Sequence, residues 1–133
     1  MKIIISPAKS INFKKKIPTE KSSLPFFLDD AIVINSSLKK KTPLDLSSLM
    51  NISSKFSDLN WRRNQDFKTP FNQHNARPAI YAFDGDVYSG IDSYSLDQNK
   101  IDILQERLYI ISGLYGLLTV SYTHLTLPTS DLV

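Results

Sequence analysis

Three short apolar runs constrain this chain more than anything else in it. They are Lys2-Ile3-Ile4-Ile5, Ala79-Ile80-Tyr81-Ala82-Phe83 and Tyr109-Ile110-Ile111-Ser112. Each is only four or five residues long and rich in β-branched or aromatic side chains. Such runs, closed by turn-forming residues, read as strands of an interior sheet. Ser6-Pro7 ends the first, because proline cannot donate to a ladder. Asp84-Gly85-Asp86 ends the second and Gly113-Leu114-Tyr115-Gly116 follows the third. The unbroken isoleucines of the first run predict a buried strand.

Helical patterns fill the intervals. Pro25 suits a helix start, and residues 26–39 carry Phe26, Phe27, Ala31, Ile34 and Leu38 near one stripe. Asp29 and Asp30 fall early in this helix and Lys39-Lys40 at its end, which matches the helix dipole. Thr42-Pro43 opens a second helix bearing Leu44, Leu46, Leu49 and Met50. Asn51-Ile52-Ser53 interrupts it: asparagine tolerates the left-handed conformation, and serine caps the next helix. A third helix over 54–66 carries Phe56, Leu59 and Trp61, and a further one over 97–107 is marked by Ile101, Leu104 and Leu108. Residues 6–24 read as a long loop with a basic middle, and Pro70 and Pro78 bracket a polar loop. Strands alternating with helices predict an α/β fold with a mixed sheet, whose strand order the sequence does not reveal.

Composition excludes several classes of function. The 133 residues make one domain, with 41% hydrophobic and 22% charged residues. The absence of cysteine removes disulfides, thiolate metal sites and cysteine nucleophiles. With only His74 and His124, a histidine-built metal site is not expected, and nothing in the sequence calls for a cofactor. No apolar run approaches the ~20 residues that span a bilayer, so a soluble, cytosolic protein without membrane contact is expected.

Charge is polarised along the chain. The formal net charge is +3, but residues 1–77 hold 14 Lys and Arg against 6 Asp and Glu. The basic residues cluster as Lys14-Lys15-Lys16, Lys39-Lys40-Lys41 and Arg62-Arg63. A polyanion-binding face needs such clusters, because neutralised phosphates release counterions. Solvated lysine runs that only maintain solubility are the alternative.

Three strand exits could carry chemistry. Ser6-Pro7-Ala8-Lys9 has the serine–lysine spacing of Ser–Lys acylases, but the proline argues for a loop, where a hydroxyl and a cation suit an anion better than a covalent step. Asp84 and Asp86, two apart, are suited to a divalent cation or to acid–base work, and equally to a plain turn. The turn bearing Gly113 and Gly116 would let backbone approach a phosphate, although it lacks the lysine of a P-loop and the third glycine of a dinucleotide fingerprint. If these exits share one sheet edge, Ser6, Lys9, Asp84, Asp86, Gly113 and Gly116 would line a nucleotide pocket. Direct iron binding by Asp84, Asp86 and Asp92 is a third option, disfavoured by the scarcity of His and Cys.

Residues 44–57 have the rhythm of a helix-hairpin-helix DNA module. In that module, backbone amides at the start of the second helix grip a phosphate. Here Asn51 and Ser53 stand where glycines are usual, and Lys55 would add a phosphate contact. An ordinary helical hairpin is the alternative.

Four blocks, in order, resemble the YaaA family of bacterial peroxide-stress proteins. They are Ile5-Ser6-Pro7-Ala8-Lys9-Ser10 with Phe13; Leu49-Met50-Asn51-Ile52-Ser53; Asn75-Ala76-Arg77-Pro78-Ala79-Ile80 with Phe83-Asp84-Gly85-Asp86-Val87-Tyr88-Ser89-Gly90; and Ser112-Gly113-Leu114-Tyr115-Gly116-Leu117-Leu118. The resemblance implies a cytosolic protein, induced by peroxide, that helps keep free iron low and so limits iron-driven DNA damage. It also implies DNA binding through a positive cleft and a helix-hairpin-helix-like element, on an unusual α/β fold; contacts made mainly by Lys and Arg to phosphates would make that binding sequence-tolerant. Lys9, Lys55 and Arg77 lie in or beside the matching blocks and become candidate phosphate contacts. No catalytic residue carries over.

The resemblance covers residues 1–118, as the N-terminal half of a fold whose members are about twice as long. Residues 119–133 have no counterpart in it. They read as translated sequencing-adapter sequence, so the expectation is a gene cut near Leu118 and a truncated domain. Oligomeric state is not readable.

Overall fold

The computed structural model describes residues 1–19, 21–72 and 74–120, and the backbone of 124–126. In chain order its elements are β1 (Ile3–Ile5), β2 (Ser10–Ile11), α1 (Leu28–Leu38), α2 (Pro43–Met50), α3 (Ser54–Asp66), β3 (Ala76–Pro78), α4 (Ala79–Ala82), β4 (Phe83–Asp84), α5 (Asp86–Ile91), α6 (Gln98–Arg107), β5 (Leu108–Ser112), β6 (Gly116–Thr119) and β7 (His124–Thr126), with a 3-10 turn at Ser93–Ser95. The α/β class read from the sequence holds. A mixed three-stranded sheet has the order β1-β5-β6, with β1 parallel to β5 and β5 antiparallel to β6. Two small antiparallel ladders join β2 to β4 and β3 to β7. Strand β7, like Thr119 of β6, falls in the stretch expected to be foreign, of which residues 121–123 and 127–133 lie outside the described residues.

The core forms on one side of the sheet. Ile80, Tyr81, Ile101, Ile110, Tyr115, Leu118 and Val120 are buried there. Phe67, Phe71 and Tyr115 make a triangle of rings with centroids 6.1–6.4 Å apart. Each such side chain stabilises the fold by about 1.5–3 kcal/mol.

Several expectations are corrected. β1 is a sheet edge, with Ile3 43% and Ile4 58% exposed, because β5 rather than β1 takes the central position. Residues 79–82 form a turn of helix instead of a strand. A short, fully buried apolar run has no period to separate the two states. Here the Ile80 amide bonds the Val120 carbonyl, and Ala82 accepts from the Asn12 amide. The long loop holds the short strand β2. The third helix falls where it is expected, at 54–66, but its small polar residues rather than its apolar ones are buried. Ser57, Asn60 and Asn64 point inward, while Phe56, Leu59 and Trp61 are exposed. On α1, likewise, Ala31 and Asn35 are buried while Phe26, Phe27 and Ile34 are exposed. Asn35 Nδ2 donates to Asn64 Oδ1 at 3.2 Å, so these helices meet through small polar side chains.

α2 is capped as its sequence predicts. The Asp45 amide donates to Thr42 Oγ1 at 3.1 Å, and the Thr42 amide donates to Asp45 Oδ2 at 2.8 Å, a reciprocal capping box. These bonds hold the Asp45 carboxyl below its ordinary pKa of 3.8, and Asp97, the N-cap of α6, is lowered by the Lys100 amide in the same way. A carboxyl that titrates lower when folded stabilises fully above its unfolded value and loses that contribution as pH falls through the folded one. The stability of the chain therefore falls as pH drops below about 4. Urea titrations at pH 7 and pH 3 should show Asp45→Asn with a smaller pH difference than the parent. Thr42→Ala should cost about 1 kcal/mol at pH 7.

Candidate functional site

The β2–β4 ladder sets the geometry of the site. It pairs Ser10 with Asp84 and Ile11 with Phe83, drawing the loop after β1 alongside the turn after β4. Gly85 fits this approach: a Cβ there would lie 3.2 Å from the Ala8 Cβ. Tyr88, packed on Phe83 with ring centroids 5.4 Å apart, donates its hydroxyl to the Ser6 carbonyl at 2.7 Å and fixes the loop. The result is an open cavity of about 420 Å³ lined by Ser6, Lys9, Ser10, Asp84, Asp86 and Tyr88. A second cavity, of about 240 Å³, adjoins it and shares Asp84 and Tyr88; Asn12, Lys15, Asp92 and Tyr94 also line it. Lys15 Nζ stands 4.0 Å from the centroid of the Tyr94 ring, and Tyr94 donates to the Tyr81 carbonyl at 2.7 Å. Burial raises the Tyr94 pKa above its usual value, and the Arg77 charge opposes that rise.

Two of the three strand exits thus converge, and the third does not. Gly113 and Gly116 are absent from both linings. They belong to the β5–β6 turn, where Ser112 Oγ accepts from the amides of Leu114 and Tyr115. Gly116 takes a left-handed φ of 68°, and an added Cβ would lie 3.0 Å from the Phe27 ring. Its glycine serves the turn and the packing of Phe27.

Arg77 also departs from its expected role. It is 9% exposed. Nη1 donates to the Asn12 carbonyl at 2.9 Å, and Nη2 donates to those of Phe13 and Lys15 at 3.2 and 2.8 Å. The guanidinium also lies 5.1 Å from the centroid of the Phe13 ring. Its donors are committed to the loop that carries Lys14, Lys15 and Lys16, so it positions those lysines instead of facing a phosphate itself.

The remaining cations divide in the same manner. Lys39 donates to the Phe67 carbonyl at 3.0 Å. Arg63 is half-buried, and desolvation lowers its pKa. Lys9, Lys14, Lys16, Lys40, Lys41, Lys55 and Arg62 are exposed. Between α2 and α3, Asn51 adopts φ 52°, ψ 50°, and Ser47 Oγ donates to the Ile52 carbonyl at 2.7 Å, locking the hairpin. Ser53 is the N-cap of α3, but its side chain makes no capping bond. His74 is exposed in its loop. Among the described residues, no three of His, Asp and Glu gather at metal-binding distance.

The family model described as "Peroxide stress protein YaaA" matches residues 1–123. The chain belongs to the YaaA family of peroxide stress proteins. A UPF0246 protein of Flavobacterium johnsoniae is 59% identical over 118 residues, covering 89% of this chain and 47% of the relative. UPF0246 proteins of Flavobacterium psychrophilum and Alteromonas mediterranea are 51% and 47% identical over the same length. The chain therefore spans about half the length of these YaaA-family relatives.

Tyr94 and Asn12 are site-lining residues that the sequence does not single out, and Tyr88 enters there only as part of a family block. Their roles depend on long-range carbonyl and ring contacts with no local pattern. The blocks that mark the YaaA family nonetheless enclose Tyr88 and the Ser6 carbonyl it bonds. Arg77→Lys keeps the charge but loses the planar fork, and should cost about 2 kcal/mol of stability. Limited trypsin digestion should then nick the chain at Lys14–Lys16 faster than in the parent; an unchanged cleavage rate would remove the clamp role.

Proposed function

We propose that this chain supplies part of a DNA-binding surface in a cytosolic peroxide stress protein that limits iron-driven DNA damage. The observation that carries this reading is the α2–α3 hairpin. Its left-handed Asn51 turns the chain tightly, and the start of the 13-residue α3 is left without a side-chain cap beside exposed Lys55. Amides at such a helix start, reinforced by the helix dipole and a lysine, hold a backbone phosphate without reading bases. Lys40 and Lys41 lie just ahead of α2, and Arg62 is exposed on α3. Lys14 and Lys16, on the loop held by Arg77, provide a separate basic group. None of Lys14, Lys16, Lys40, Lys55 and Arg62 is in an ion pair among the described residues, so their charge is available to phosphate.

Anisotropy titration of a labelled duplex should show affinity falling steeply with salt. Six phosphate contacts give a log–log slope of roughly −5. Lys55→Ala should weaken binding alike on unrelated sequences and reduce the slope by about 1. A salt-independent affinity would overturn the reading.

A second reading, an enzyme acting on a nucleotide or modified base, is favoured by the convergence of Ser6 and Lys9 with Asp84 and Asp86 on one cavity. Ser6 and Lys9 would hold a phosphate, and Asp84 or Asp86 would serve as general acid or base. The order of chemistry is binding first. Calorimetry with nucleoside monophosphates should show heat that Lys9→Ala abolishes, while Asp84→Asn retains binding but loses turnover. The absence of heat with every nucleotide would remove this second reading and leave the DNA reading intact.

A further inference from the structure

The three-stranded sheet is closely covered on one face and only partly on the other. Registered partners in a sheet share a face. Ile3, Ile5, Leu108, Ile110 and Leu118 therefore lie on the core side, where Leu108, Ile110 and Leu118 are buried and Ile3, at the edge strand, is 43% exposed. Ile4, Tyr109, Ile111, Leu117 and Thr119 share the other side, where Thr119 is buried and the stretch from Ile4 to Ile111 is left open. There Ile4 is 58% and Ile111 52% exposed, while Tyr109 and Leu117 are partly exposed. Lys2 reaches over this face, its Nζ 5.4 Å from the centroid of the Tyr109 ring. Among the described residues β1 also pairs on one side only.

We infer that this face is the seat of the other half of the YaaA fold, the stretch that the relatives carry outside the 118 matched residues. Two observations identify that occupant. Ile3-Ile4-Ile5 and Leu108-Tyr109-Ile110-Ile111 are apolar on both faces, the pattern of parallel strands enclosed by protein on each side; strands with one wet face alternate with polar residues instead. The matched relatives are about twice as long as the stretch they share with this chain, so such polypeptide exists in the family. The occupant is accordingly an apolar layer of α/β chain that covers Ile4 and Ile111, and it has a free strand edge at β1 available for pairing. A small soluble domain seldom leaves such a patch bare unless something binds it.

Hydroxyl-radical footprinting, which reads side-chain access to solvent, tests this without truncating any protein. This chain and the intact Flavobacterium johnsoniae relative are oxidised under matched conditions. In this chain Ile4, Tyr109, Ile111 and Leu117 should oxidise readily, whereas the matched positions of the relative should lose that oxidation. Val33 and Leu44, 67% exposed or more, serve as internal references. Equal oxidation of the sheet-face positions in both proteins would overturn the inference. Sedimentation of this chain across concentrations covers the competing occupant. A dimer that dissociates in Ile111→Lys would assign the face to a second copy and overturn the inference equally, and a monomer at all concentrations supports it.

Discussion

Parallel pairing of residues 3–5 with 108–110 is the contact on which the rest depends. It joins segments about a hundred positions apart, and its closure entropy is recovered only through the core on one side of the sheet. Once β1 lies beside β5, its exit loop can emerge only near the ladder that β2 makes with β4. Ser6, Lys9, Asp84 and Asp86 are thereby brought to a common cavity by the path of the backbone. The candidate cavity is thus a consequence of topology: a strand register determines which loops face each other, and the side chains on those loops line it.

Arg77 shows how a basic protein divides its cations between structural roles and its exposed surface. A guanidinium presents a fixed fork of donors, and in a buried setting those donors need acceptors. Carbonyls of Asn12, Phe13 and Lys15 supply them, and the neighbouring Lys14 and Lys16 are left exposed on a loop whose backbone is held. Preordering a lysine-bearing loop reduces the entropy lost when a polyanion binds it. Lys39 repeats the arrangement on a smaller scale: it bonds the Phe67 carbonyl, while Lys40 and Lys41 remain exposed.

What the sequence made legible follows the range of the interactions involved. Local devices were readable: Thr42-Pro43 as a helix start, Asn51 as a left-handed stop, the limits of the third helix, and a strand at residues 109–112. Each depends on contacts within a few residues. The family was readable because its blocks keep their order. Burial direction was not. The isoleucines of β1 predict an enclosed strand, yet Ile3 and Ile4 are both exposed, because β5 takes the central position and leaves β1 at the edge. The helical stripes of α1 and α3 misled for a different reason: Asn35 and Asn64 bond each other, and that pairing turns Phe56, Leu59 and Trp61 outward. Of the site, the Ser6–Lys9 and Asp84–Asp86 segments were legible as strand exits, whereas the separation of Gly113–Gly116 from them follows from the antiparallel return of β6.

The polar seam between α1 and α3 bears on how the hairpin works. Large apolar contacts hold the sheet-side core, but α3 meets α1 through Asn35–Asn64 and is tied to the end of α1 by Lys39 and Gln65. Each such hydrogen bond contributes only about 0.5–1.5 kcal/mol. The hairpin is therefore internally stiff, through Thr42, Ser47 and Asn51, yet joined to α1 by a few modest polar bonds. The proposed phosphate grip would benefit from both properties. In the proposed role, internal stiffness would keep the amides of the α3 start aligned, and a lightly fastened base would let the unit adjust to a duplex backbone. The exposed Phe56 and Trp61 follow from the same arrangement, since a helix that buries its small polar face must turn its large side chains toward solvent or toward a partner.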